Sequence, residues 1–314
     1  MRLRFIGVCL YASHVCAFPI AGKPVRIVVP FAPGGQTDIQ ARAIAQRMGE
    51  AGLSVIVENK PGGNTVIGAR DVQKAAPDGH TLLYTIATHV QIPHLYREPP
   101  WDPFRDFTPV TAGARSATVL TAHVSTPFGN VKELVAYARA NPGKLNYASF
   151  GSGSTSHLNA ELLKKLASID IVHVPYKGSG DAMKDHISGT VQLFFDGPTT
   201  AIANAKSGKV KLIATAAETR KAALPDLPTL REEGYDVGMW GYLWFWGPAG
   251  MSSATVDEVY RPLARAIQPP EVRELFAAGG SEASGMPPAE MARAARDLHE
   301  RWGAVIRATG VRLD

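Results

Sequence analysis

Short apolar runs alternate along this chain with longer stretches in which apolar positions recur every three or four residues. The runs at 25–30, 54–58, 81–86, 146–150, 169–174, 191–195 and 211–216 are predicted strands. The stretches at 37–50, 131–140 and 155–166 are predicted helices between them. Alternation of this kind predicts an α/β fold of mostly parallel sheets covered by helices, and the near-continuous apolar strands fit burial on both faces. Leu158, Leu162, Leu163 and Leu166 give one helix a single apolar face. Thr37 with Gln40 matches a capping box at the start of another. Lys60-Pro61-Gly62-Gly63, Pro77-Asp78-Gly79 and Asn141-Pro142-Gly143 mark turns.

Two longer segments break the alternation. One is 109–124; the other is 238–248, where Trp240, Tyr242, Trp244 and Trp246 alternate with Gly241, Leu243 and Phe245. Both read as long strands and are expected to connect two lobes. Only helical patterns follow, at 255–267, 270–278 and 288–308, so the last third is expected to return to the first lobe. The expected division is residues 18–119 with 247–314 as one lobe and 120–246 as the other.

One motif occurs twice within this pattern. An apolar strand runs into Pro30-Phe31-Ala32-Pro33-Gly34-Gly35-Gln36-Thr37-Asp38, and another runs into Ser149-Phe150-Gly151-Ser152-Gly153-Ser154-Thr155-Ser156-His157. Each is a glycine-rich turn before a helix start, where free backbone N–H groups and the positive dipole end favour an anion. Neither turn contains Lys or Arg. Phe31, Ala32, Gly34, Gly35, Gln36 and Thr37 are therefore candidate ligand-binding residues, as are Ser149, Gly151, Ser152, Gly153, Ser154, Thr155 and Ser156. The alternative is that each turn only joins strand to helix, although the hydroxyls of the second exceed what one cap requires.

The amino terminus adds a destination. Arg2 and Arg4 precede a mostly apolar stretch, and Val15-Cys16-Ala17 offers a cut after Ala17, the pattern of a cleaved export signal over 1–17. Both cysteines, Cys9 and Cys16, lie inside it, and the preceding Val8 and Val15 do not suit lipid attachment. The mature chain would then lack disulfides, thiol nucleophiles and Cys-based zinc sites. Loss of Arg2 and Arg4 lowers the net charge from +5 to +3, and the basic residues that remain are scattered, so nucleic acid is not an expected partner. There is no phosphate-binding Walker sequence, no complete dinucleotide fingerprint, no Gly-x-Ser-x-Gly elbow and no His-Glu-x-x-His. No cofactor and no metal site are expected.

The chain resembles the periplasmic solute-binding receptors of tripartite tricarboxylate transporters, also called Bug receptors. The matching pieces keep their order through Val28-Val29-Pro30-Phe31, Val57-Glu58-Asn59-Lys60-Pro61-Gly62 and Ala76-Pro77-Asp78-Gly79-His80-Thr81-Leu82-Leu83. They continue through Trp101-Asp102-Pro103, Asp106-Phe107-Thr108-Pro109-Val110, Gly151-Ser152-Gly153-Ser154 and His173-Val174-Pro175-Tyr176-Lys177-Gly178. Leu224-Pro225-Asp226-Leu227-Pro228-Thr229-Leu230 and Pro248-Ala249-Gly250 close the set. The resemblance implies a two-lobed Venus-flytrap fold with two crossing strands and a small carboxylate between the lobes. It implies that the 31–37 loop holds one carboxylate through water and backbone, and that the 149–156 loop takes a second directly. The chain departs from the family at Met251-Ser252-Ser253, where Thr-Pro is usual, and at Trp244 and Gln36, where smaller residues are common.

Four further readings stay open. Thr88 faces the cleft or is a turn donor. Asp196 binds a ligand amine or hydroxyl, or it caps and pairs in its own loop. Lys177 is a counter-charge, or Tyr176-Lys177-Gly178 shapes a turn. The 240–246 aromatics pack the core and hinge, or one ring faces an aromatic acid. Arg70, Arg97 and Arg115 read as solvated or paired surface groups. The resulting expectation is a monomeric periplasmic receptor, not an enzyme, that passes a carboxylate to membrane permease subunits. A ligand-sensing partner of a signalling protein is the alternative, and a hydrolase or transferase on the same scaffold is the third.

Overall fold

The structure, a computed structural model, describes residues 18–19 and 22–314. The expected export signal at 1–17, with both cysteines, lies outside the described residues. The chain begins as strand–helix units: β1 (Val25–Val29), α1 (Gln36–Glu50), β2 (Val55–Asn59), α2 (Val66–Gln73), β3 (Thr81–Thr85) and α3 (Thr88–Gln91). Next come β4 (Phe107–Ser116), β5 (Val119–His123), α4 (Val131–Ala140), β6 (Asn146–Ser149), α5 (Thr155–Ala167), β7 (Val172–Pro175) and α6 (Ser179–Ser188). Then follow β8 (Leu193–Asp196), α7 (Pro198–Lys206), β9 (Val210–Thr215), β10 (Gly241–Pro248), α8 (Ser253–Ile267), α9 (Pro270–Ala278), β11 (Glu282–Ala283) and α10 (Pro288–Thr309).

These elements form two sheets, of order β11-β4-β10-β3-β1-β2 and β7-β6-β8-β5-β9. The units β1–β2, β1–β3, β6–β7 and β6–β8 are parallel, as crossover helices require. Each sheet also holds an antiparallel strand that arrives from the other lobe: β5 between β8 and β9, and β10 between β3 and β4. The central strands of both sheets are buried on both faces, while the edge strands β2 and β7 stay partly exposed. Ile27, Ile44, Phe245 and Val259 pack on one side of the first, and Val28, Trp246, Leu298 and Trp302 on the other. The second packs Leu120, Leu134, Tyr147 and Leu163 on one side and Ala148, Met183 and Phe194 on the other.

Three expectations change. The 109–124 run is two strands, β4 and β5, broken at Ala117 and Thr118, where the chain leaves the first sheet. The 238–248 run carries the return crossing only in its first residues, with Val237 still in the second lobe's core and Trp240 in the hinge cluster. Its strand, β10, lies wholly in the first sheet, paired from Gly241 to Pro248 with β4, so the expected boundary at 246 falls inside a strand. The return occurs between β9 and β10. Finally, the leucines of α5 do not share one face. Leu163 enters the second lobe's core, Leu158 enters the core of the first beside Trp302 and Ile306, and Leu166 is 46% exposed. This helix is therefore apolar on two sides because it lies at the seam, against α10.

The crossings meet in a small cluster of Ala117, Ala217 and Trp240. Arg115 lies 4.4 Å and Lys221 Nζ 4.6 Å from the centre of the Trp240 ring. Arg115 also pairs with Glu282. Lys221 is buried and donates to the Gly280 carbonyl at 3.0 Å, and this burial pushes its ammonium down to about 7.

Candidate functional site

The first glycine turn leads from β1 into α1. Gly34 takes φ +82°, a left-handed value natural to glycine, and Gly35 is the N-cap residue. No side chain caps α1. The expected capping box does not form, because the helix starts at Gln36 and places Thr37 inside its first turn. The Gln40 amide turns to the core instead, accepting from Tyr84 and donating to Ser281. Asp38 holds the turn from below by accepting the Gly34 N–H at 2.9 Å. Burial opposes its charge, but hydrogen bonds from Arg42, Gly34 and Asn59 hold its carboxyl below the usual range.

The second turn is satisfied from within. Ser154 caps α5 by accepting the His157 N–H. Gly153 N–H donates to His157 Nδ1 at 2.9 Å, and Gly151 N–H donates to Ser149 Oγ at 3.1 Å. Ser149 Oγ also meets His173 Nε2 at 2.6 Å, and Ser156 Oγ donates to the Phe195 carbonyl at 2.7 Å. The rings of His157 and His173 stack 3.9 Å apart. Burial lowers them to about 4 and about 3, so both are neutral near pH 7 and His157 Nδ1 is free to accept. Gly153, at φ +75°, lies so close to the first lobe that a Cβ there would sit 2.4 Å from Leu95.

A cavity lies between the lobes beside these turns, with about 450 Å³ of space not filled by protein atoms, part of it open to solvent. Gln36 at the start of α1 and Thr155 at the start of α5 both line it, one from each lobe. Ile86, Ala87, Ser116, Thr118, Phe150 and Gly197 join them, with Met239, Tyr242, Leu243 and Trp302. No charged side chain is among the lining residues. Gln36 is held within its own lobe, its Nε2 donating to Ser116 at 3.1 Å and Ser281 at 2.7 Å, and it meets the other lobe at Gly197, where a Cβ would come within 2.5 Å of its Oε1.

The remaining candidate residues lie elsewhere. Phe31, Gly151, Ser152 and Lys177 border a separate hollow with Asn64. Ala32 N–H donates to the Lys177 carbonyl at 3.4 Å, which ties the lobes together, while the Lys177 side chain is exposed. Thr88 is fully buried next to Ala87 and does not line the cavity. Asp196 is fully buried behind Gly197. It accepts from Ser179, Thr200 and the Gly197 N–H, and so lies at the starts of α6 and α7. Burial pushes its carboxyl up to about 7 against those three hydrogen bonds. Trp244 and Trp246 are core residues and Trp240 packs in the hinge, which leaves Tyr242 as the ring of that strand on the cavity.

Sequence reasoning missed Ser116, Thr118, Met239 and Trp302. Ser116 and Thr118 flank Ala117 at the break between β4 and β5. Among the described residues, no group of His, Cys, Asp and Glu could hold a metal ion, and no helix is long and apolar enough to cross a membrane.

Comparison with known proteins gives a consistent picture. Residues 40–311 match the family described as tripartite tricarboxylate transporter family receptor. The solved periplasmic binding protein BugD is 32% identical, with a TM-score of 0.88 over 93% of this chain and 99% of its own. Rpa4515 from R. palustris, solved with adipate, is 31% identical, with a TM-score of 0.88 over 93% of this chain and 99% of that one. MatC from Rhodopseudomonas palustris, solved with bound malate, is 30% identical, with a TM-score of 0.87 over 91% of this chain and 100% of that one.

Proposed function

The chain belongs to the tripartite tricarboxylate transporter family of receptors, and from that premise we propose that it captures a small carboxylate between its lobes and hands it, chemically unchanged, to a membrane permease. Export to the periplasm and removal of residues 1–17 belong to the same proposal. One observation carries it: helix starts from both lobes, α1 at Gln36 and α5 at Thr155, line one interlobe cavity that holds no charged side chain. Positive dipole ends and hydroxyl donors favour an anion there without the conformational cost of ordering Lys or Arg.

Contacts across the seam give the closed form its stability. Ala32 N–H reaches the Lys177 carbonyl, Thr199 Oγ1 donates to the Gly279 carbonyl at 3.1 Å, and Lys221 donates to Gly280. A ligand that touches both lobes adds contacts available only in that form and shifts the population toward it. The permease would then read the closed face. The test is thermal unfolding of the mature chain, first unfolded and refolded to strip any carried ligand, against a panel of carboxylates. A dose-dependent rise in Tm with a carboxylate is expected, because a ligand specific to the folded state stabilises by mass action. Absence of a shift with every acid, or conversion of the bound acid to a product, overturns the reading.

A further inference from the structure

The walls of the interlobe cavity are of two unlike kinds. One is a connected polar strip. Gln36 bonds to Ser116, and Thr118 lies two positions on along the crossing. Thr118 Oγ1 accepts from Asn159 at 3.0 Å, one helical turn after Thr155. The other is an apolar wall of Ile86, Met239, Tyr242, Leu243 and Trp302. Nothing charged faces either.

The second glycine turn is the place where a second acid group would be held, and its geometry does not offer that. The N–H groups of Gly151 and Gly153 are engaged by Ser149 and His157. Both glycines face Asn64 and Leu95 of the first lobe and do not line the cavity. A second carboxylate would be left on the apolar wall, desolvated and unpartnered, which is strongly unfavourable.

Resting on the reading of this cavity as a carboxylate site, we propose that its ligand is a monocarboxylate with an apolar body, aromatic rings included. The acid group lies on the strip at the starts of α1 and α5, and the body lies against Tyr242, Leu243, Met239 and Trp302. Specificity for one acid group over two comes from the wall.

The test is calorimetric titration of the stripped mature chain with two matched pairs, 4-methylbenzoate against terephthalate and hexanoate against adipate. Each pair keeps the carbon frame and changes the number of carboxylates. The monoacid of each pair is expected to bind at least about 10-fold more tightly. A diacid that binds as tightly as its monoacid partner in either pair overturns the proposal and leaves the carboxylate receptor standing. If none of the four binds, the ligand-class proposal falls, and failure of the wider thermal panel takes the receptor reading with it. Met239→Lys adds a cation to the wall and is expected to raise the diacid-to-monoacid affinity ratio at least about fivefold. A merely structural role for Met239 would weaken both acids alike and leave that ratio unchanged, which also counts against the proposal.

Discussion

The two glycine turns have similar sequences and different physics. The turn before α1 leaves its helix without a side-chain cap, and Asp38 supports it from beneath. The turn before α5 is capped by Ser154 and braced by His157, Ser149 and His173. The first leaves its helix start open, as the proposed anion site requires. The second is a rigid bracket that seats one lobe on the other at Leu95. A shared strand–glycine–helix outline therefore does not imply a shared task; the fate of the N–H groups decides it.

The largest expected difference is in stability. Gly153→Val forces a branched residue into left-handed backbone 2.4 Å from Leu95, and should cost about 2–5 kcal/mol by urea unfolding. Gly35→Ala sits at φ −81° with its nearest neighbour 3.6 Å away, and should cost less than about 1 kcal/mol. Equal losses would remove the distinction between bracket and open site.

A cap exchange is next in size. Gly35→Asp places a carboxylate on the open helix start and should weaken carboxylate binding at least about 10-fold. Ser154→Ala removes the other cap and should cost about 1 kcal/mol of stability with affinity changed less than about threefold. Calorimetry and denaturation on both variants separate the two effects.

Acid should loosen the turns in order. His157 has a depressed pKa in the folded protein, so the stability it supplies is present above 6.5 and lost as pH falls toward about 4. Asp38 is depressed below 3.8, so its support is lost only under stronger acid. Backbone amide shifts of Gly153 should move between pH 6.5 and pH 4 while those of Gly34 hold still; simultaneous movement would contradict the assignment. The smallest effect expected is for Lys177→Ala. Its side chain is exposed and only its carbonyl bridges the lobes, so affinity should change less than about twofold in the same titration.

Much of the fold was legible because buried strands and amphipathic helices leave local periodic traces. The bounds of α4 and α9, and the covering role of the C-terminal helices, follow from pattern alone. The placement of β10 does not, since an antiparallel strand inserted between β3 and β4 has the same alternation as a lobe connection. The site was half legible. Gln36 and Thr155 lie where the turns suggested. The readings of Thr37 as a cap and of the α5 leucines as one face missed a tertiary choice: a helix that begins one residue early, and a helix shared between two cores. Met239 and Trp302 come from distant parts of the chain and meet only in three dimensions.

In the proposed function part of the grip on the acid comes from the uncapped main-chain N–H groups at the start of α1, and this bears on how such a protein changes over evolutionary time. Few point mutations other than to proline can delete a backbone N–H. The capacity to hold an anion is thus inherited with the fold itself, while Met239, Tyr242, Leu243 and Trp302 can be exchanged one by one. A gene duplicate would keep its grip on acids from the first generation and diverge in what the acid is attached to.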